Sequence, residues 1–155
     1  MSKTLLYGAT KVDEDNQAYS AVASLKQFQW RNRVFVIFAD EENARAARQE
    51  NQLLADRNAL QDRDIVILKI AGGSVREVFG AGENLEAAAI ADDLGDPTAG
   101  EFAAYLVGKD GTVKLKLSEP ISRGELLAII DSMPVRAAEI ASDKQQTCEE
   151  SGKRD

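Results

Sequence analysis

The sequence predicts a single α/β domain whose first two strands are parallel and whose last two form a hairpin. Three observations carry this: two apolar, β-branched runs separated by a helix-length segment, two shorter strand-like segments joined by Asp-Gly, and a closing amphipathic segment. Residues 10–16 are polar, and Ala18, Val22, Leu25 and Phe28 then fall at helical spacing, so a short leading helix is expected over 17–28. The first run, Arg33-Val-Phe-Val-Ile-Phe-Ala39, has no polar alternation after Arg33, the pattern of a strand covered on both faces. It is taken as the central strand.

Asp40 is placed to cap the next helix, because its carboxylate can accept from free backbone N–H groups while Glu41 and Glu42 suit the positive end of the helix dipole. That helix is expected to reach Asn58, with Ala44, Ala47 and Leu54 inward. Asp64-Ile-Val-Ile-Leu-Lys-Ile70 is a second buried-type strand, and strand, helix and strand of these lengths make a right-handed βαβ unit. Between 71 and 100 the glycines at 72, 73, 80 and 82 read as loop, 85–94 as a short helix, and Gly95-Asp-Pro97 as its stop. Residues 102–107 and 112–117 flank Gly108-Lys-Asp-Gly111, a hairpin turn in which Asp-Gly supplies positive φ. Lys114 and Lys116 alternate with apolar residues, which predicts a half-exposed last strand protected against edge pairing. After Pro120, Ser122 can cap a final helix over 123–131, which Pro134 ends. The organisation expected is an N-terminal extension (1–16), one folded domain (17–141) and a polar, disordered tail (142–155).

Composition removes several function classes. With 155 residues, 44% of them hydrophobic and 29% charged, the chain can bury one core without disulfide or metal. A net charge of -7 and pI near 4.7, with no basic stripe interleaved with aromatics, exclude nucleic acid as the expected partner. No apolar run approaches the ~20 residues needed to span a bilayer, so no membrane partner is expected. The start of the chain lacks the charged and apolar regions of a signal peptide, so the expected location is soluble and cytoplasmic, or extracytoplasmic if a signal peptide has been removed. There is no histidine, and the one cysteine, Cys148, falls in the polar tail.

Taken together, Phe28-Gln-Trp30-Arg-Asn-Arg33, Asp62-Arg63-Asp64, Val107-Gly-Lys-Asp-Gly-Thr-Val-Lys114 and Ile130-Asp-Ser-Met-Pro-Val-Arg136, in this order and spacing, resemble the DUF4174 family over residues 25–139. The element order is similar to the thioredoxin-like core, which implies a four-stranded mixed sheet with helices on both faces. The resemblance further implies a domain related to thioredoxins and peroxiredoxins, generally without the catalytic cysteine pair, and also found repeated in extracellular matrix proteins related to sushi-repeat proteins. In thioredoxin-like enzymes the reactive thiolate stands at the N-terminus of the helix after the first strand, where the dipole lowers its pKa. Here that junction reads Ala39-Asp40-Glu41-Glu42, and a carboxylate cannot form the mixed disulfide of thiol exchange. The residue before Phe102, where such enzymes keep a proline, is Glu101.

The candidate binding residues are Asp40, Glu41, Arg63, Lys109, Asp110 and Arg136, each with a structural reading beside the functional one. Asp40, Glu41 and Glu42 are a helix cap or part of a cation site, although a hard cation needs about six converging oxygens. Lys109 and Asp110 are a geometric turn or a charge pair offered to a ligand. Arg63 with Asp64 is a surface pair, and Arg136 with Glu139 and Asp131 is an ion-pair cluster or a carboxylate clamp. Asp92, Asp93 and Asp96 are a solvated helix end or a calcium site, and the glycines lack a phosphate-binding fingerprint. Cys148 has no base or helix terminus near it in sequence to activate a thiolate. No cofactor, metal or catalytic residue is expected. Two functions remain: a non-catalytic module that binds a protein or peptide, and an enzyme of non-thiol chemistry pairing Asp40 or Asp110 with Arg136.

Overall fold

The computed structural model describes the backbone of residues 5–6 and 9–11, and residues 21–95, 97–98 and 100–133 in full. The chain divides into two compact units, residues 1–122 and 123–155. At the centre of the first lie β3 (Arg33–Phe38) and β4 (Ile65–Ala71), paired in parallel from Arg33↔Ile65 to Phe38↔Ile70. Every residue of β3 is buried, as are the first six of β4, which is why these two runs carry no polar alternation. On the other side of β3 runs β6 (Ala103–Val107), antiparallel, and then β7 (Val113–Leu117), antiparallel to β6.

The sheet exceeds the expected four strands, and the largest addition is β5 (Ser74–Phe79), antiparallel to β4. Gly72 and Gly73, with φ of 58° and 80°, form the two-residue turn that doubles the chain back. Reading them as loop concealed the strand. Two short segments, β1 (Leu5–Leu6) and β2 (Ala9–Lys11), complete the order β1-β2-β7-β6-β3-β4-β5. Because β2 pairs with β7 through Ala9↔Leu117 to Lys11↔Leu115, β7 is an internal strand, and the lysines expected to guard an edge lie within the sheet.

Successive strand residues face opposite sides. Val34, Val36, Phe38, Val66, Leu68 and Ile70 share one face, packed with Val22, Leu25 and Phe28 and with Ala87, Ile90 and Leu94. The first trio flanks or lies in a 3-10 helix, Ala23–Phe28, kinked at Leu25, where an α-helix was expected. The second belongs to α3 (Ala87–Asp93) and its C-cap. The opposite face carries Phe35, Ile37, Ile67 and Lys69 and is covered by α1 (Ala44–Leu54). The helix expected to run to Asn58 breaks after Leu54, and α2 (Arg57–Asp62) restarts with Asp56 accepting from the Ala59 N–H at 3.1 Å. In the second unit, α4 spans Arg123–Asp131, with Leu126 and Ile130 buried. The expected tail over 142–155 lies outside the described residues.

A charged pair is buried in the first unit. Lys69 points from β4 beneath α1, and its Nζ donates to Glu50 Oε2 at 2.7 Å, the two side chains being 8% and 11% exposed. Arg76, the cross-strand neighbour of Lys69, donates to the other oxygen of Glu50. One carboxylate therefore holds two adjacent cations. Glu50→Ala, which strands the lysine, is expected to cost about 3–5 kcal/mol in urea unfolding, whereas Glu50→Leu with Lys69→Met removes both charges and is expected to recover most of that loss. A double variant no more stable than Glu50→Ala would show that the pair itself holds the helix down.

Candidate functional site

The junction after β3 is built by a tight turn. Asn43 N–H donates to the Asp40 carbonyl at 2.9 Å, Asn43 takes φ 59°, and α1 begins at the next residue. This brings the Asp40 carboxylate onto the open end of α1, where Oδ2 accepts from the N–H groups of Ala44 and Arg45 at 3.0 and 3.1 Å and Oδ1 from Ala46 at 3.0 Å. Desolvation pushes the Asp40 carboxyl up, and the N–H groups of Ala46, Arg45, Asp40 itself and Ala44 together outweigh it, holding the group below its ordinary range. An anion thus occupies the helix N-terminus, and the anion is the chain's own. Glu41 and Glu42 are exposed, and the Glu41 N–H donates to the Gly100 carbonyl at 2.9 Å, tying the junction to the loop before β6.

Beside that loop is an open groove of about 350 Å³. Pro97, Thr98 and Glu101 form one side, Lys116, Leu117 and Ser118 the other, and Tyr105 lies between them. Phe38 meets the Tyr105 ring edge-on, with centroids 5.7 Å apart at 84°, and burial pushes the phenol pKa up. Sequence reasoning missed Tyr105, because its place in a strand run marked it only as core.

The other candidates gather at the opposite end of the sheet, about 20 Å away along β3. Asp110 is spent on its own turn: Oδ1 accepts from the N–H and hydroxyl of Thr112 at 3.0 and 2.8 Å, and Oδ2 from Lys114 at 2.9 Å. Desolvation raises its pKa, and these hydrogen bonds together with the Lys114 charge more than reverse it, leaving the group low. Lys109 reaches Asp64 at 2.8 Å. Arg63 donates to the Ala59 carbonyl at 3.0 Å and lies 3.9 Å from Asp62, and its own carbonyl receives the buried Arg33 at 2.9 Å. Asp40 and Glu41 are therefore together, while Arg63, Lys109 and Asp110 lie at the other end of the sheet and each is engaged with a different partner. Arg136, Glu139, Asp96 and Cys148 lie outside the described residues. Asp93 accepts from the Ser24 N–H at 2.9 Å. Among the described residues no three Asp, Glu or Cys side chains converge on a possible metal position.

Asp40 and Asp110 have folded-state pKa values below the ordinary 3.8, so the stability they contribute is complete above that value and is lost as pH falls through the lowered ones. Thermal melts from pH 6 downward should show the loss setting in below about pH 4. Asp40→Asn and Asp110→Asn should each flatten it. At neutral pH Asp40→Ala is expected to cost about 1–2 kcal/mol as a lost helix cap; an unchanged midpoint would remove the cap from the account.

The chain is similar to a DsbF homologue from Corynebacterium diphtheriae, with TM-score 0.56 and 14% identity over 81% of this chain and 93% of that one, a likeness that shows the thioredoxin-like fold. Reduced 2-Cys peroxiredoxin from Plasmodium vivax is also similar, with TM-score 0.45 and 19% identity over 74% of this chain and 83% of that one. In sequence the chain is 31% identical over 134 residues to coiled-coil domain-containing protein 80 of Danio rerio, covering 76% of this chain and 16% of that protein's length. Residues 24–139 match the model of a domain of unknown function, DUF4174, and the chain belongs to that family.

Proposed function

We propose that this domain is a non-catalytic thioredoxin-like module that binds a protein or peptide partner, through the groove between residues 97–102 and the end of β7. The observation that carries this reading is the Asp40 carboxylate on the N–H groups of Ala44, Arg45 and Ala46. A helix N-terminus lowers the pKa of whatever anion it holds, and the charge that would activate a thiol is here neutralised by a carboxylate unable to attack sulfur. The chain has one cysteine, so no intramolecular cysteine pair exists in it.

The groove supports the binding half of the proposal. Tyr105 offers an apolar ring with a polar tip, and Glu101, Thr98, Lys116 and Ser118 bring charges and hydroxyls to the rim, the mixture that gives a shallow cleft both area and orientation. The Glu41 bond to Gly100 fixes one side of the groove in advance, which lowers the ordering cost of binding.

A photo-crosslinking residue at Lys116 is expected to capture a partner from source lysate saturably, in competition with unlabelled domain, while the same residue at Arg48, exposed on α1, captures none. Equal labelling from both positions would sink the assignment of the groove. Reduction of insulin disulfides is expected at the uncatalysed rate, unchanged in Cys148→Ala; turnover that depends on Cys148 would overturn the non-catalytic half.

A further inference from the structure

A second groove, of about 560 Å³, opens at the other end of the sheet between the 3-10 helix with its exit (residues 27–32) and the loop after β5 (residues 81–84). Its volume falls within the range of ligand clefts, ~300–1,000 Å³. Both walls are held in place before any ligand arrives. The Gln27 amide donates to the Glu83 carbonyl at 2.7 Å and accepts from the Glu83 N–H at 2.8 Å, and the Gly82 N–H donates to Glu77 Oε2 at 2.7 Å. Gly82 has no room for a side chain, since a Cβ there would stand 2.8 Å from both Phe28 and Leu85.

The charges of this groove are complementary but separate. Arg31 lies on one wall and Glu83 on the other, both exposed, and no ion pair joins them to each other or to any other described residue. Nearby charges are matched internally, Lys109 by Asp64 and Lys114 by Asp110. Immediately before Arg31 stands Trp30, 68% exposed and the one large hydrophobic side chain left out of the core among the described residues. Its backbone takes φ 66°, rare for a bulky residue, and its N–H is fixed to the Lys109 carbonyl at 2.6 Å. Aromatic and arginine side chains of this kind dominate the energetics of peptide and protein contacts.

We propose that this groove is a second binding site, for a short extended peptide carrying one acidic and one basic side chain, with an apolar neighbour laid on Trp30. The guanidinium of Arg31 takes the carboxylate as a fork, and Glu83 takes the cation. Glu83 also discriminates against a run of acidic residues, as an arginine groove alone would not.

Trp30 is the only tryptophan in the chain, so its emission reports this end of the molecule alone. Titration of the full chain with acetyl-Leu-Asp-Leu-Lys-Leu-amide in low salt is expected to give a saturable change in that emission. Acetyl-Leu-Asp-Leu-Asp-Leu-amide is expected to bind at least about tenfold more weakly, as is the mixed peptide to Arg31→Glu, while Arg31→Glu with Glu83→Lys restores affinity by exchanging the signs of the walls. Arg31 has no ion pair to lose among the described residues, so the variants should keep their melting temperature; if the reversal lowers it, Arg31→Gln supplies the same comparison. No saturable change, equal affinity for the two peptides, a single variant that binds like the parent, or a double reversal that fails to recover would each overturn the proposal. None of these outcomes bears on the groove beside Tyr105.

Discussion

The Asp40 carboxylate and the first N–H groups of α1 set the terms for this end of the molecule. The leading N–H groups of a helix have no partner within it, and a side chain that accepts from them in place of water contributes about 0.5–2 kcal/mol. Asp40 satisfies three at once. The geometry that allows it also fixes the left-handed residue at Asn43 and brings the Glu41 N–H to Gly100. A helix terminus has one field to spend on one anion. In a thiol enzyme it stabilises a reactive thiolate; here it stabilises a cap, and what would assist chemistry contributes to holding α1 in place.

The same economy of polar groups pins the loops. Gln49, buried on α1, donates to the Ile121 carbonyl at 2.9 Å and accepts from its N–H at 2.8 Å, and Gln27 grips Glu83 by the same reciprocal pair. A primary amide matches both backbone groups of an extended residue, so one side chain can stand in for a strand partner where the sheet does not reach. Gln49 and Glu50, which answers two cations, do this inside the fold, where apolar packing alone would leave donors unmet, while Gln27 does it at the surface.

What was readable in the sequence follows from this division. The parallel pair was legible because burial on both faces writes an unbroken β-branched run, and the Asp-Gly hairpin because its turn demands particular residue types. β5 was hidden because Arg76 and Glu77 sit at its middle and Gly72-Gly73 looked like loop. The break between α1 and α2 was hidden because Ala55-Asp56 contains neither proline nor glycine, and only the Asp56 cap marks the restart. Asp40 as a cap could be read from residue type and place. That Lys109 would find Asp64, 45 positions away, could not, nor could either groove, since each is walled by segments far apart in sequence.

The distribution of backbone strain separates the two ends of the sheet. Asn43, just before α1, is in the left-handed region, but asparagine enters that region readily. Trp30 does not, and a bulky residue held there costs on the order of 1–3 kcal/mol and persists only where its surroundings enforce it. The enforcement is visible in the Trp30 and Lys109 backbone bond and in the two N–H groups, of Arg31 and Asn32, that return to the Phe28 carbonyl. The junction after β3 therefore stores little strain and presents its own anion to the helix end, whereas the turn at Trp30 is held against its backbone preference by three backbone hydrogen bonds, and an exposed indole is the result.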